Sequence, residues 1–146
     1  MSTIWVTPPD LPTLTAAAQN TAITAMGIEY IAFGDNWIQG RMPVDHRTHQ
    51  PIGLLHGGAS VVLAETLGST GANLCVDTRT HYCVGLDINA NHIRGVQSGW
   101  VIGTAEAVHL GRTTQVWSIR IEDETGKLVC LSRLTMAVTA QSVRPH

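Results

Sequence analysis

Glu65 is the one charged residue in the run GLLHGGASVVLAETLGSTGA, Gly53 to Ala72. A carboxylate set among apolar and small residues is costly unless it is paired or put to use. No basic residue lies between Val61 and Ser69 to pair with it inside a helical turn. Eight residues before it stands Gly57–Gly58, where a loop turns into a helix. The first amides of a helix have no internal partner and carry partial positive charge, and glycine lets a ligand oxygen come close to them. That combination forms an oxyanion site able to polarise a carbonyl; glycines that only make a tight turn are the plainer alternative. Ser69, four residues beyond Glu65, shares its helix face and offers a hydroxyl that could orient an attacking water.

Spacing then constrains the chemistry. At about 1.5 Å per residue, Glu65 stands about 12 Å along the axis from Gly57. Its carboxylate cannot easily touch a carbonyl held at the start of its own helix. If both groups act on one carbon, they come from two chains, and a two-fold dimer with antiparallel helices supplies that arrangement. The competing reading is a Glu65 that points to solvent or meets Arg94 or Arg112 from afar.

Other residue sets fit their chemistry poorly. His46, His49 and His56 with Asp45 match no zinc spacing, so no metal is expected. The HGGAS stretch is similar to the oxyanion loop of lipases, but the chain has no GxSxG for a serine nucleophile. Cys75, Cys83 and Cys130 are odd in number and lack CxxC spacing, which suits reduced thiols packed in the core of a cytosolic protein. Trp5, Trp37, Trp100 and Trp117 are not grouped for base stacking. A net charge of −2 without a basic run gives no electrostatic case for nucleic acid. The opening MSTIWVTPPDLP lacks the pattern of a signal peptide, and no apolar run is long enough for a membrane span.

The elements that must position these residues follow from periodicity. The 146 residues suit one domain, 1–146, with 1–13 as an extended lead. Only 14% of residues are charged, well below the usual share, which points to surface covered by another copy. Thr13 or Thr15 caps a short helix running to about Met26. IEYIAF and WIQGRMPV read as strands joined by a turn at Gly34–Asn36. The loop DHRTHQPIGLLHGG leads into a helix from Gly58 to about Cys75, apolar almost all round and therefore expected to be buried. Four strands follow, the first placing Val84, Leu86, Ile88, Ala90 and His92 on one face. Strands not separated by helices exclude a parallel βαβ fold. The expectation is an α+β fold in which an antiparallel sheet curls round one long helix, with a second copy closing the open side.

The segment MPVDHRTHQPIGLLHGGASVVLAETLGS, continued by VGLDINANHIR, VHLGRTTQVW and SRLTMAV, resembles the hotdog-fold acyl-CoA thioesterases of the PaaI-like branch. It is similar in particular to the subgroup holding 1,4-dihydroxy-2-naphthoyl-CoA thioesterase and the enterobactin proofreading thioesterase. The resemblance covers roughly residues 25 to 140. It implies Glu65 as the catalytic base or nucleophile, Gly57 as the backbone donor to the thioester carbonyl, and Gln50 near the thioester. It also implies His56 as a residue that helps position the substrate and Ser69 as the polar residue a turn beyond the carboxylate. By the same resemblance His92 lines the tunnel for acyl group and pantetheine. Gly85, the stretch His92, Ile93, Arg94, Gly95, and the turn His109, Leu110, Gly111, Arg112, Thr113, Thr114 fall where relatives contact coenzyme A. Arg94 and Arg112 suit phosphate partners chemically, although two solvated arginines are the alternative. The Arg112–Thr113–Thr114 sequence departs from close relatives. Shared active sites in a homodimer, paired into a dimer of dimers, are implied as well.

The expected activity is therefore hydrolysis of an acyl-CoA to free acid and coenzyme A, without metal or organic cofactor, since a thioester is already activated. Aromatic acyl groups come first by resemblance and medium-chain fatty acyl groups second. The alternatives are an acyl group on a carrier protein, or a hotdog domain that only binds acyl-CoA. A hotdog dehydratase would need a catalytic His–Asp or His–Glu pair in a different helix context, which this sequence lacks.

Overall fold

The computed structural model describes residues 2–141, so Met1 and residues 142–146 of the expected 1–146 domain lie outside the described residues. The N-terminus departs from expectation. Asp10, in extended backbone, accepts from the Thr13 amide and caps α1 (Leu11–Ala17), with Pro12 in its first turn. Asn20 then takes the left-handed conformation at φ 62°, which asparagine tolerates better than most residues. Thr21 restarts the chain as the cap of α2 (Ala22–Ala25). The expected single helix capped by Thr13 or Thr15 is thus two, and the lead ends at Asp10, not 13. Nor is the lead a loose extension. Trp5 is buried, its ring stacks on Trp117 at 6.3 Å, and its indole N–H donates to the Gly34 carbonyl at 2.8 Å.

The remaining elements fall close to where alternation and turn residues put them. They are β1 (Glu29–Phe33), β2 (Trp37–Pro43), α3 (Gly57–Leu74), β3 (His81–His92), β4 (Trp100–Leu110), β5 (Thr114–Asp123) and β6 (Leu128–Ala140). The strands form one antiparallel sheet in the order β1-β2-β4-β5-β6-β3. It wraps round α3, which buries Leu63, Ala64, Leu67, Gly68 and Gly71 against it. Missing side chains allow that closeness. A Cβ on Gly40 would stand 2.8 Å from Leu67 Cδ2, and one on Gly71 would stand 2.7 Å from the Trp117 ring.

Two expectations are corrected here. First, α3 is not buried all round: Val61, Val62, Glu65, Ser69 and Asn73 remain half-exposed, although Glu65 and Asn73 both reach β3. Second, β3 does not present one alternating face. Gly85 pairs with Met136 and Asp87 with Thr135, which leaves Leu86 as an extra residue. Such a bulge reverses the alternation. Cys83 packs inward before it and Ile88 and Ala90 after it, while Val84 and Leu86 are 45% and 61% exposed. β3 is also an edge strand of 12 residues with no neighbour on its outer side. A long edge with exposed apolar side chains is a template for pairing with another chain.

Candidate active site

The loop before α3 builds the first half of the site. The Arg47 guanidinium bonds the Asp45 carboxylate and holds its pKa down at about 2. Buried Thr48 donates its hydroxyl to the Pro43 carbonyl and accepts the His56 amide on its own carbonyl at 2.7 Å. The Gln50 side-chain oxygen accepts from the Ile52 amide at 2.6 Å and the Leu54 amide at 3.4 Å. That leaves the Gln50 NH₂ as its open group.

His56 is the N-cap of α3. Its Nδ1 accepts from the Gly58 amide at 2.8 Å, so the proton of the neutral ring sits on Nε2, which is then a donor. The Ala59 and Ser60 amides both reach the His56 carbonyl. The Gly57 amide has no acceptor among the described residues, and it lies at the positive end of an 18-residue helix. Histidine is not among the preferred caps, so this role was not visible in the sequence. Replacing His56 with Ala is expected to lower Tm by about 2–4 °C, the effect of losing a cap worth about 1 kcal/mol. His56→Asn keeps a capping oxygen and is expected to hold Tm near that of the unaltered chain; thermal unfolding of both variants checks it.

Glu65 builds the second half. Its carboxylate lies over Gly85 of β3, where an added Cβ would stand 2.7 Å from Oε2. Among the described residues it makes no hydrogen bond and no ion pair, and neither Arg94 nor Arg112 enters an ion pair. A groove of about 380 Å³ runs along this side of α3 between Ile23 and Val61, Val62, Glu65 and Ser69. A second hollow of about 340 Å³ shares Ile23, Ser69 and Thr70 and continues under α1. There the Tyr30 hydroxyl lies 2.9 Å from that of Thr70, a pair that sequence reading missed because 40 residues separate its members. Largely apolar walls with a few hydroxyls suit an acyl group. The thiols offer no competing nucleophile: burial pushes Cys75 up to about 12, and Cys83 and Cys130 are raised by burial too. Among the described residues no three metal-ligating side chains come together, and no helix is long and apolar enough to cross a membrane.

The sheet register fixes where these halves stand. One row across the sheet runs His92, Cys130, Ile121, Gly103; another runs Gly85, Met136, Gln115, Leu110. Cys130 and Met136 are six residues apart on β6, which places the rows about 20 Å apart. Gly57 belongs to the first row, since a Cβ there would stand 2.9 Å from His92 Nε2. His56, Ile93, Arg94 and Gly95 lie at the same end. The Ile93 and Arg94 amides donate to the Val129 carbonyl, and Gly95 abuts Leu54, to which the Gln50 loop is bonded. Glu65 and Gly85 belong to the second row, with Ser69 one turn further along α3. His109 and Leu110 end β4 there, and Gly111, Arg112 and Thr113 make the turn to Thr114, closed by the Gly111 amide on the Thr114 carbonyl at 2.8 Å. One chain therefore gathers the predicted site residues into two groups at opposite ends of its sheet and does not bring the groups together.

A six-stranded antiparallel sheet wrapped round a long helix that starts with an open amide is the hotdog architecture. The chain belongs to the thioesterase superfamily, whose family model matches residues 52–130, and it is an enzyme of that thioester-hydrolysing class. It is 47% identical over 135 residues to the 1,4-dihydroxy-2-naphthoyl-CoA hydrolase of Escherichia coli, covering 92% of this chain and 98% of the relative. It is 49% identical over 136 residues to the proofreading thioesterase EntH of Cronobacter turicensis, with coverage of 92% and 98%. The structure of the thioesterase PA1618 of Pseudomonas aeruginosa, solved as a glutamine-to-alanine mutant, superposes with a TM-score of 0.94 at 55% identity, covering 95% of this chain and all of that one.

Proposed function

We propose that the protein hydrolyses an acyl-CoA, with an aromatic acyl group preferred, at sites each built from two chains. The observation that carries this reading is the division of the site residues between two ends of one sheet. A two-fold axis joins them. Pairing the free edge of β3 with its copy about Asn89 sets His92 opposite the Gly85–Leu86 bulge of the partner. The bulge makes this possible, because it puts Gly85 and His92 on the same face of the strand. The Gly57 amide of one chain then meets the partner's Glu65, and the coenzyme A stretch His92–Gly95 meets the partner's His109–Thr114 turn. The half-exposed side of α3 gains a neighbour in the same assembly. Pairing of two such dimers gives the tetramer expected of the PaaI-like branch.

In that site the Gly57 amide binds the thioester carbonyl oxygen and stabilises the charge that develops on it. The Gln50 NH₂ and the His56 Nε2–H are further donors on the same side. Glu65 takes a proton from water, oriented by Ser69, as the water attacks the carbonyl carbon; alternatively its oxygen attacks first and water cleaves the resulting anhydride. Either way the C–S bond breaks, the sulfur leaves as thiolate and is protonated, and carboxylic acid and coenzyme A are released. No cofactor enters the reaction, and the setting is cytoplasmic. The aromatic preference draws support from the naphthoyl substrate in the name of the Escherichia coli relative. A proofreading relative keeps an acyl group on a carrier protein as the second reading.

Thiol release from a panel of aryl-CoA, medium-chain acyl-CoA and aryl-carrier-protein thioesters tests the proposal. The highest kcat/KM is expected with an aryl-CoA. Binding of these esters without any thiol release contradicts hydrolysis, and a clear preference for the carrier-protein esters supports the second reading.

A further inference from the structure

We infer that Gly85 is a positioning residue for the reaction, because the absence of its side chain leaves the volume in which the Glu65 carboxylate sits. The inference rests on the proposed role of Glu65 and goes beyond a coenzyme A contact at Gly85. Glycine in a strand interior is ordinarily a loss, since it costs backbone entropy and packs nothing. It is needed where φ is positive, but the positive-φ glycines of the chain are Gly27, Gly53, Gly99 and Gly126. The Gly85 backbone is therefore open to any residue. What the missing Cβ provides is room: a methyl there would stand 2.7 Å from Glu65 Oε2 and 3.4 Å from its carboxyl carbon. Gly85 also begins the β3 bulge, since Leu86 directly after it has no partner on β6.

A second feature sets the expected outcome. The atom that would clash is the tip of a flexible side chain, and that side chain has no hydrogen bond or ion pair to hold it. The carboxylate can swing aside at little cost in stability. It cannot do so without leaving the position from which it serves the carbonyl carbon. Gly85→Ala is thus a geometric change at the base with the fold left intact.

The test measures kcat and KM with the best acyl-CoA substrate, beside Tm and oligomeric size. Gly85→Ala is expected to lower kcat by about 10- to 100-fold, the effect of displacing a reacting group by about 1 Å. KM is expected to stay within about twofold and Tm not to fall. Glu65→Asp shortens the acid and clears the methyl. In that background, adding Gly85→Ala is expected to cost no more than about threefold, a non-additivity that marks contact between the two positions. A purely structural role for Gly85 lowers Tm and gives additive losses. A kcat within about twofold of the unaltered enzyme overturns the inference, as does a raised KM at unchanged kcat, which leaves Gly85 as a coenzyme A contact alone. Full activity of Glu65→Ala instead removes the proposed role of Glu65, on which the inference rests, while leaving hydrolysis itself standing.

Discussion

Glu65→Ala is expected to lower kcat by about 10³-fold or more, the range for removing a positioned base or nucleophile, while the protein folds and assembles as before. The reason for both halves is the same. The carboxylate has no hydrogen-bond or ion-pair partner among the described residues. Removing it leaves no buried group unsatisfied, which is the usual source of large destabilisation. Steady-state thiol release and thermal unfolding of the same preparation measure the two effects. Glu65→Gln is expected to match Glu65→Ala in rate, because an amide of the same shape neither accepts the proton nor attacks the carbonyl. A variant that loses Tm and activity in proportion would mark Glu65 as a packing residue.

Gly57→Pro is expected to lower kcat by about 10²- to 10³-fold, the loss seen when one oxyanion donor is removed. Proline has no N–H, so it deletes the proposed donor. It is also well suited to the first position of a helix, which Gly57 occupies. The preceding residue must then be extended, and His56 already is, at φ −68° and ψ 130°. The His92 ring must give way to the added atoms, since a Cβ at Gly57 lies 2.9 Å from its Nε2. Gly57→Ala sets the same Cβ against His92 yet keeps the amide, so its smaller loss of kcat points to the N–H. Equal losses in the two variants would assign the effect to His92 instead. Circular dichroism is expected to show α3 intact in both.

The strands β4 to β6 were legible in the sequence because local chemistry and the fold agree there: alternating β-branched residues end at Gly111–Arg112 and at Asp123–Lys127, where the chain turns. The start of α3 was legible for a similar reason, since paired glycines meet a small-residue helix. The N-terminal helix was misread because threonines at 13, 15 and 21 compete as caps, and the choice falls to Asp10 and to the left-handed Asn20. The bulge at Leu86 was marked only by Gly85, an isolated glycine inside a strand pattern; its place is decided by register against β6. The site divides in the same way. The separation of Glu65 from Gly57 follows from helical rise alone. That Gly85 lies under Glu65, and that the Gly85 and His92 rows stand at opposite ends, depends on pairings across four strands that no local pattern encodes.

Mixing the two inactive variants tests the shared site most directly. Glu65→Ala dimers and Gly57→Pro dimers are unfolded or dissociated together, reassembled, and assayed for thiol release. In a mixed dimer one site carries both changes and the other carries neither. Random reassembly makes half of the dimers mixed, so activity is expected to recover to about a quarter of that of the unaltered enzyme. Activity of the mixture no higher than the mean of the two variants alone would mean that each chain supplies its own carboxylate and its own amide, and the two-chain site would be wrong.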